Sequence, residues 1–288
     1  NVCHRHGVPL LVDNAHGAYL KFLPRSLHPM DLGADLCSDS AHKTLPVLTG
    51  GAYLHMGPDW TAEEAKAAMA LFGSTSPSWL ILQSLDGANP LLERLPGDIA
   101  ALAPHIAALK EALLAHGFAL VGAEPLKITV HAAKFGYSGE EMAEILEKQG
   151  IFCEFADRDF LVFMLTPRNT PEELDRLRAA LCALPRGARQ EAPSIALARP
   201  KAACTPRQAA FAPRETIPVE NSLGRILALA NVSCPPAVPI VMCGEEIDEA
   251  AREALCRCGI EEVTVIKASP SGVAAMQQKV EQARRSRT

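Results

Sequence analysis

No apolar run in this chain reaches the ~20 residues that a bilayer crossing needs, and the N-terminus carries neither the charged region nor the apolar core of a signal peptide. Membrane insertion and secretion are therefore not expected, and the expectation is a cytoplasmic protein. Excess positive charge is missing too. Lys and Arg number 28 against 33 Asp and Glu, a formal net charge of −5. That leaves no electrostatic footprint for nucleic acid or an anionic membrane, and the basic tail Gln282 to Arg287 reads as a solvated end. Cysteines at metal-site spacing are also lacking. Cys256 and Cys258 have one residue between them, and Cys3-His4-Arg5-His6 has no partner cluster, so no metal is expected. The nine cysteines are scattered singly, which suits reduced thiols better than a disulfide framework.

The chain has 288 residues, 48% of them hydrophobic, enough for a buried core and for two or three domains. It opens in mid-pattern: residues 2–7 read like the end of a helix and lead into the apolar run Val8 to Val12. Such a run suits a buried parallel strand, which has companions on both sides, so further strands are expected upstream. Short strands are expected at 34–38 and 51–55. A helix over 61–72 starts at the capping box Thr61-Ala-Glu-Glu64, a second helix starts near Ser78, and a long one covers 98–116 up to Gly117. This is α/β grammar.

From residue 118 short strands and helices alternate, with strands at 118–121, 126–130, 151–155 and 160–165 and helices at 139–149 and 171–184. Ser138-Gly-Glu-Glu141 and Thr170-Pro171-Glu-Glu173 announce those helices, and Leu174, Leu177, Leu181 and Leu184 mark one buried face. Ser138 is read as an N-cap and not as a nucleophile, since no strand-elbow-helix context surrounds it. The expected division is 1–97 as part of a large domain, 98–185 as a small α+β domain, 186–213 as a linker, and 214–288 as a C-terminal α/β unit. In the last unit, strands near 239–242 and 262–266 flank a helix at 248–258.

Chemistry-bearing residues concentrate in the first block. Asp13-Asn-Ala-His16 places a carboxylate at the carboxyl end of a buried strand, the edge where α/β sheets hold ligands. Ser38-Asp-Ser40-Ala-His42-Lys43-Thr44 adds hydroxyls, an imidazole and an amine just after another strand. Taken singly, an Asp or a Lys after a strand is most often a turn or surface residue. Together they form two polar sites on neighbouring strand ends.

Asp13-Asn-Ala-His16-Gly-Ala, Gly33-Ala-Asp-Leu and Ser40-Ala-His42-Lys43-Thr through Gly50-Gly-Ala-Tyr-Leu-His55 closely resemble the Orn/Lys/Arg decarboxylase family. The resemblance continues in Ser74-Thr-Ser-Pro-Ser-Trp79, in Ser84-Leu-Asp-Gly-Ala88 and in Pro218 to Glu245, and is weak over 98–210. It implies a fold-type-I enzyme dependent on pyridoxal phosphate (PLP), this chain supplying the C-terminal part of the large domain, with a mostly parallel sheet and helices, followed by the small α+β domain and the C-terminal α/β unit. It further implies Lys43 as the Schiff-base lysine, Asp13 as partner of the pyridine nitrogen and Ala15 against a ring face. By the same resemblance His16 lies near the ring hydroxyl, Ser40 binds phosphate, His42 contacts the cofactor and delivers a proton, and Thr75 reaches the phosphate of a neighbouring subunit.

The implied reaction is decarboxylation of arginine, lysine or ornithine by a homodimer or higher homo-oligomer, with no nucleic-acid or membrane partner. The chain departs from the family pattern at Leu229, where Gly-Arg-Ile-x-Ala-Glu has an acid, and at Cys234-Pro-Pro-Ala237, where Tyr-Pro-Pro-Gly is usual. Aminotransferase or other lyase chemistry on the same scaffold, or a non-catalytic dimerising module, therefore stays open.

Overall fold

A computed structural model describes residues 1–188, 200–229, 233–234 and 238–267, and the chain divides into compact units at 1–191 and 192–288. The Pro235-Pro236-Ala237 stretch, the basic tail and part of the expected linker lie outside the described residues.

In the first unit, helix α1 (Val2–Arg5) leads to β1 (Leu11–Asp13), a 3-10 helix (Ala18–Phe22), β2 (Leu36–Asp39), the one-turn helix α2 (Ala41–Thr44) and β3 (Tyr53–Met56). Strands β1 and β2 run parallel, with Asp13 beside Ser38, whereas β3 returns antiparallel to β2, with His55 opposite Cys37 and Tyr53 opposite Asp39. The expected mostly parallel character is thus carried here by a single strand pair, because the short link from α2 to β3 leaves no room for a crossover helix. Side chains alternate across the strands, so Cys37, Asp39, Tyr53 and His55 share one face and Asp13 and Ser38 share the other.

Helices α3 (Ala62–Ala70), α4 (Trp79–Leu92) and α5 (Leu95–His116) follow. Helix α5 buries Leu95, Ile99, Leu102, Ile106, Leu109 and Leu113, an alternating four-and-three spacing that keeps one apolar stripe facing inward. It ends at Gly117, whose φ of 102° is the left-handed conformation that glycine adopts without strain.

Strands β4 (Leu120–Val121), β5 (Lys127–His131), β6 (Phe155–Ala156) and β7 (Phe160–Met164) form an antiparallel sheet in the order β4-β5-β7-β6. Helices α6 (Ala132–Phe135), α7 (Gly139–Glu147) and α8 (Pro171–Cys182) complete the unit. Thr61, Ser138 and Thr170 all form the capping boxes that their sequences announce. The face marked by Leu174, Leu177, Leu181 and Leu184 is buried, and it shares one hydrophobic cluster with α5, β5 and β7. Strand β6 is shorter than the run 151–155 predicts: Phe152 is 75% exposed and only the end of the run meets β7.

The second unit contains α9 (Pro206–Ala210), β8 (Arg214–Pro218), β9 (Ser233–Cys234), β10 (Val238–Pro239), α10 (Glu249–Arg257) and β11 (Glu262–Ile266). Strands β8 and β11 pair antiparallel, and their inner residues gather with Val219, Leu227, Val241, Ile247 and Leu255 into a core of their own. Helix α9 falls inside the stretch expected to be a linker, and its Thr205-Pro206-Arg-Gln208 capping box repeats the Thr170 pattern. The strand expected over 239–242 is confined to β10. Among the described residues no helix is long and apolar enough to cross a membrane.

Candidate active site

The carboxyl ends of β1 and β2 hold the residues singled out by sequence, Thr75 excepted. Asp13 closes β1 and is exposed; the chain then turns through Asn14 to Gly17, with the Gly17 N–H donating to the Asn14 carbonyl at 2.9 Å. Ser40 caps α2 by backbone alone, since its hydroxyl bonds no helix N–H, and Lys43 lies in the single turn that follows. Lys43 Nζ and His16 Nε2 are 3.1 Å apart, so the turn after β1 and the helix after β2 meet at the lysine amine. Ala15 sits half-buried between Asn14 and His16.

Burial and the nearby Lys127 and Lys43 cations pull the His16 pKa below the ordinary histidine value, against the opposing pull of Glu154 and Glu124. A neutral His16 can accept a hydrogen bond from the Lys43 amine at its Nε2 lone pair. His42 is oriented differently. Its Nδ1 lies 3.0 Å from the Gly51 carbonyl, which can only accept, so Nδ1 carries a proton and donates it there.

His42 and Lys43 line a cavity of about 590 Å³ together with Thr44, Arg94, Asp98 and Arg168. The Thr44 hydroxyl, next to the lysine, is buried with no hydrogen-bond partner, an orphan donor of the kind a phosphate or a water satisfies. Asp13, Ala15, His16 and Ser40 stand outside that lining. Thr75 lies in the exposed turn between α3 and α4 and hydrogen-bonds to none of these residues.

One carboxylate that the sequence did not distinguish is the most constrained group of the site. Asp39, the last residue of β2, is 2% exposed. It accepts hydrogen bonds from Asn14 Nδ2 at 2.7 Å, His28 Nε2 at 3.0 Å and His55 Nε2 at 2.8 Å, with the Cys37 thiol at 3.5 Å. Burial by itself would raise its pKa, but the bonds from His55, His28 and Asn14 outweigh that and hold it at about 2. Cys37, desolvated and beside Asp39, is pushed the other way, to about 12.

Since the folded Asp39 carboxyl titrates below its unfolded value, its contribution is complete above about pH 5 and is lost as pH falls through about 2. A depression of this size is worth about 2 kcal/mol. Urea unfolding of wild type and Asp39→Asn should differ most at neutral pH and converge between pH 4 and 2. A constant difference across that window would contradict the assignment.

Among solved structures, that of the Francisella novicida lysine decarboxylase superposes with a TM-score of 0.68 at 16% identity, covering 90% of this chain and 53% of that one. A structure of SPT with PLP superposes with a TM-score of 0.51 at 18% identity, over 63% of this chain and 48% of that one. The fold is that of fold-type-I PLP enzymes. Residues 1–103 match the model of the Orn/Lys/Arg decarboxylase major domain, and the arginine decarboxylase of Bacillus subtilis (strain 168) is 29% identical over 275 residues. Over residues 1–103 the chain is thus similar to the major domain of the Orn/Lys/Arg decarboxylase family. It covers 55% of that Bacillus subtilis relative, so it spans about half the length of the curated proteins it matches.

Proposed function

We propose that this chain carries the cofactor lysine of a PLP-dependent decarboxylase acting on a basic amino acid: arginine, lysine or ornithine. The observation that supports it most is the approach of Lys43 to His16 at 3.1 Å, where two strand ends of the family's major domain converge beside an open cavity. The residues present suit PLP. An amine, a carboxylate at a strand end and an unpartnered buried hydroxyl are the groups that an aldehyde, a pyridine nitrogen and a phosphate require.

When bound, PLP supplies an electrophilic aldehyde and a ring that takes up the electron pair left behind by departing CO2. Lys43 would hold the aldehyde and yield it to the substrate amine, with His16 orienting the lysine amine through their hydrogen bond. Asp13, an exposed carboxylate at the end of β1, would hold a proton on the ring nitrogen, since an anion beside a base favours its protonated form. His42, oriented by the Gly51 carbonyl and lining the cavity, would move a proton at its wall. Ser40, Thr44 and, from a second copy in a homodimer, Thr75 are hydroxyl donors for the phosphate. Ala15, between Asn14 and His16 in the same turn, would pack against the ring.

With PLP present, the chain should release labelled CO2 from one of carboxyl-labelled arginine, lysine or ornithine. Keto-acid formation with no CO2 from any of the three would contradict the decarboxylase reading and favour another fold-type-I reaction.

A further inference from the structure

A cluster of titratable groups surrounds Asp39, one strand away from Asp13 and four residues before Lys43. The donor atoms of His28, Cys37 and Asp39 lie within 4.8 Å of one another, close enough to suggest a metal cage, with His55 adding a further nitrogen. The hydrogen bonds point elsewhere. The Met30 N–H donates to His28 Nδ1 at 3.3 Å, so that nitrogen is bare and the proton sits on Nε2, the atom facing Asp39. A histidine that binds metal is arranged in reverse, its bare nitrogen toward the ion and its N–H toward an acceptor. The cluster is built to donate to a carboxylate.

We propose that Asp39 is a positioning residue of the Lys43 site: through Asn14 it fixes the turn that carries Asp13 and His16. Three observations support this. Asn14 is held to β2 twice, by its backbone N–H on the Ser38 carbonyl at 2.9 Å and by its side-chain amide on Asp39 at 2.7 Å. Its side chain then lies across Gly17, where an added Cβ would fall 1.8 Å from Asn14 Oδ1, so the clamped amide and the tight turn fit only with glycine at that position. Finally, the turn delivers His16 to Lys43, while the backbone on the other side of Asp39 leads directly through Ser40 into the helix that holds Lys43. His28 and His55 satisfy one oxygen of Asp39, leaving the other for Asn14.

This inference rests on the reading of Lys43 and His16 as site residues, but its test needs no cofactor. The charged groups around His16 are Lys43, Lys127, Glu124 and Glu154. Asp39→Asn removes a negative charge from this region, so Coulomb forces alone would push His16 further below its ordinary pKa or leave it where it is. Release of the turn would do the opposite, because His16 would move into water and away from Lys43.

The midpoint of His16, followed by NMR of its ring signals in the cofactor-free chain, should therefore rise by about half a unit or more toward the ordinary histidine value in Asp39→Asn. Asn14→Ala, which changes no charge and leaves the Asp39 histidine pair in place, should raise it likewise. A fall or no change in Asn14→Ala overturns the proposal, as does stoichiometric metal in the purified protein that is lost in Asp39→Asn. Failure of the PLP reading would look different. Lys43→Ala would then leave PLP binding unaltered, whatever His16 does.

Discussion

Lys43→Ala should abolish decarboxylation, a loss of roughly 10⁴-fold or more, equivalent to about 5.5 kcal/mol of transition-state stabilisation. The effect is large because no neighbouring side chain can replace a primary amine: His16 and His42, the groups beside it, offer imidazole nitrogens, and Arg94 and Arg168 in the cavity lining offer guanidinium groups. The fold should not change, since Lys43 is exposed and its only contact described at the amine is with His16. Far-UV circular dichroism matching wild type, together with loss of CO2 release, is the expected pair of results. Substantial CO2 release from the variant would show that another residue performs the role.

Asp13→Ala has the second largest expected effect, and it should act on a different quantity. The cofactor should still attach to Lys43, because Asp13 and the lysine sit on separate strand ends and the Lys43 amine meets His16, not Asp13. The rate of CO2 loss should fall by roughly 10³-fold, about 4 kcal/mol, because a ring without a held proton is a poor acceptor for the electron pair. Cofactor titration and kcat measured on the same preparation separate the two effects. Equal losses in both would mean that Asp13 serves binding alone.

Much of this site is legible in the sequence because its residues follow short strands directly. Asp13 and Lys43 are placed by local pattern, an apolar run ending in a polar turn, and the helices that follow are announced by Thr61, Ser138 and Thr170 at their N-caps. Asp39 escaped notice for the opposite reason. In Ser38-Asp-Ser40 it looks like one more polar residue after a strand, and its role depends on the antiparallel register that sets His55 opposite Cys37.

His28 reaches Asp39 from a loop that no periodicity describes, and that contact too is non-local. The one available signal was alternation: Cys37 and Asp39 are two apart on a strand whose inner face is buried, and a carboxylate there needs several donors. Glu124 and Lys127, which set the charge around His16, come from β5 and the turn before it and were equally out of reach of a local reading. Helix α9 could have been anticipated, since Thr205-Pro206-Arg-Gln208 repeats the Thr170 capping pattern inside a proline-rich stretch.

The most direct test of the central claim is chemical trapping. The chain is incubated with PLP, reduced with borohydride to make the link permanent, digested, and analysed by mass spectrometry. The account predicts one phosphopyridoxyl group per chain, on the peptide containing Lys43, and its absence from that peptide in Lys43→Ala. Label spread over exposed lysines such as Lys21 and Lys66, with Lys43 no more modified than they are, would contradict it.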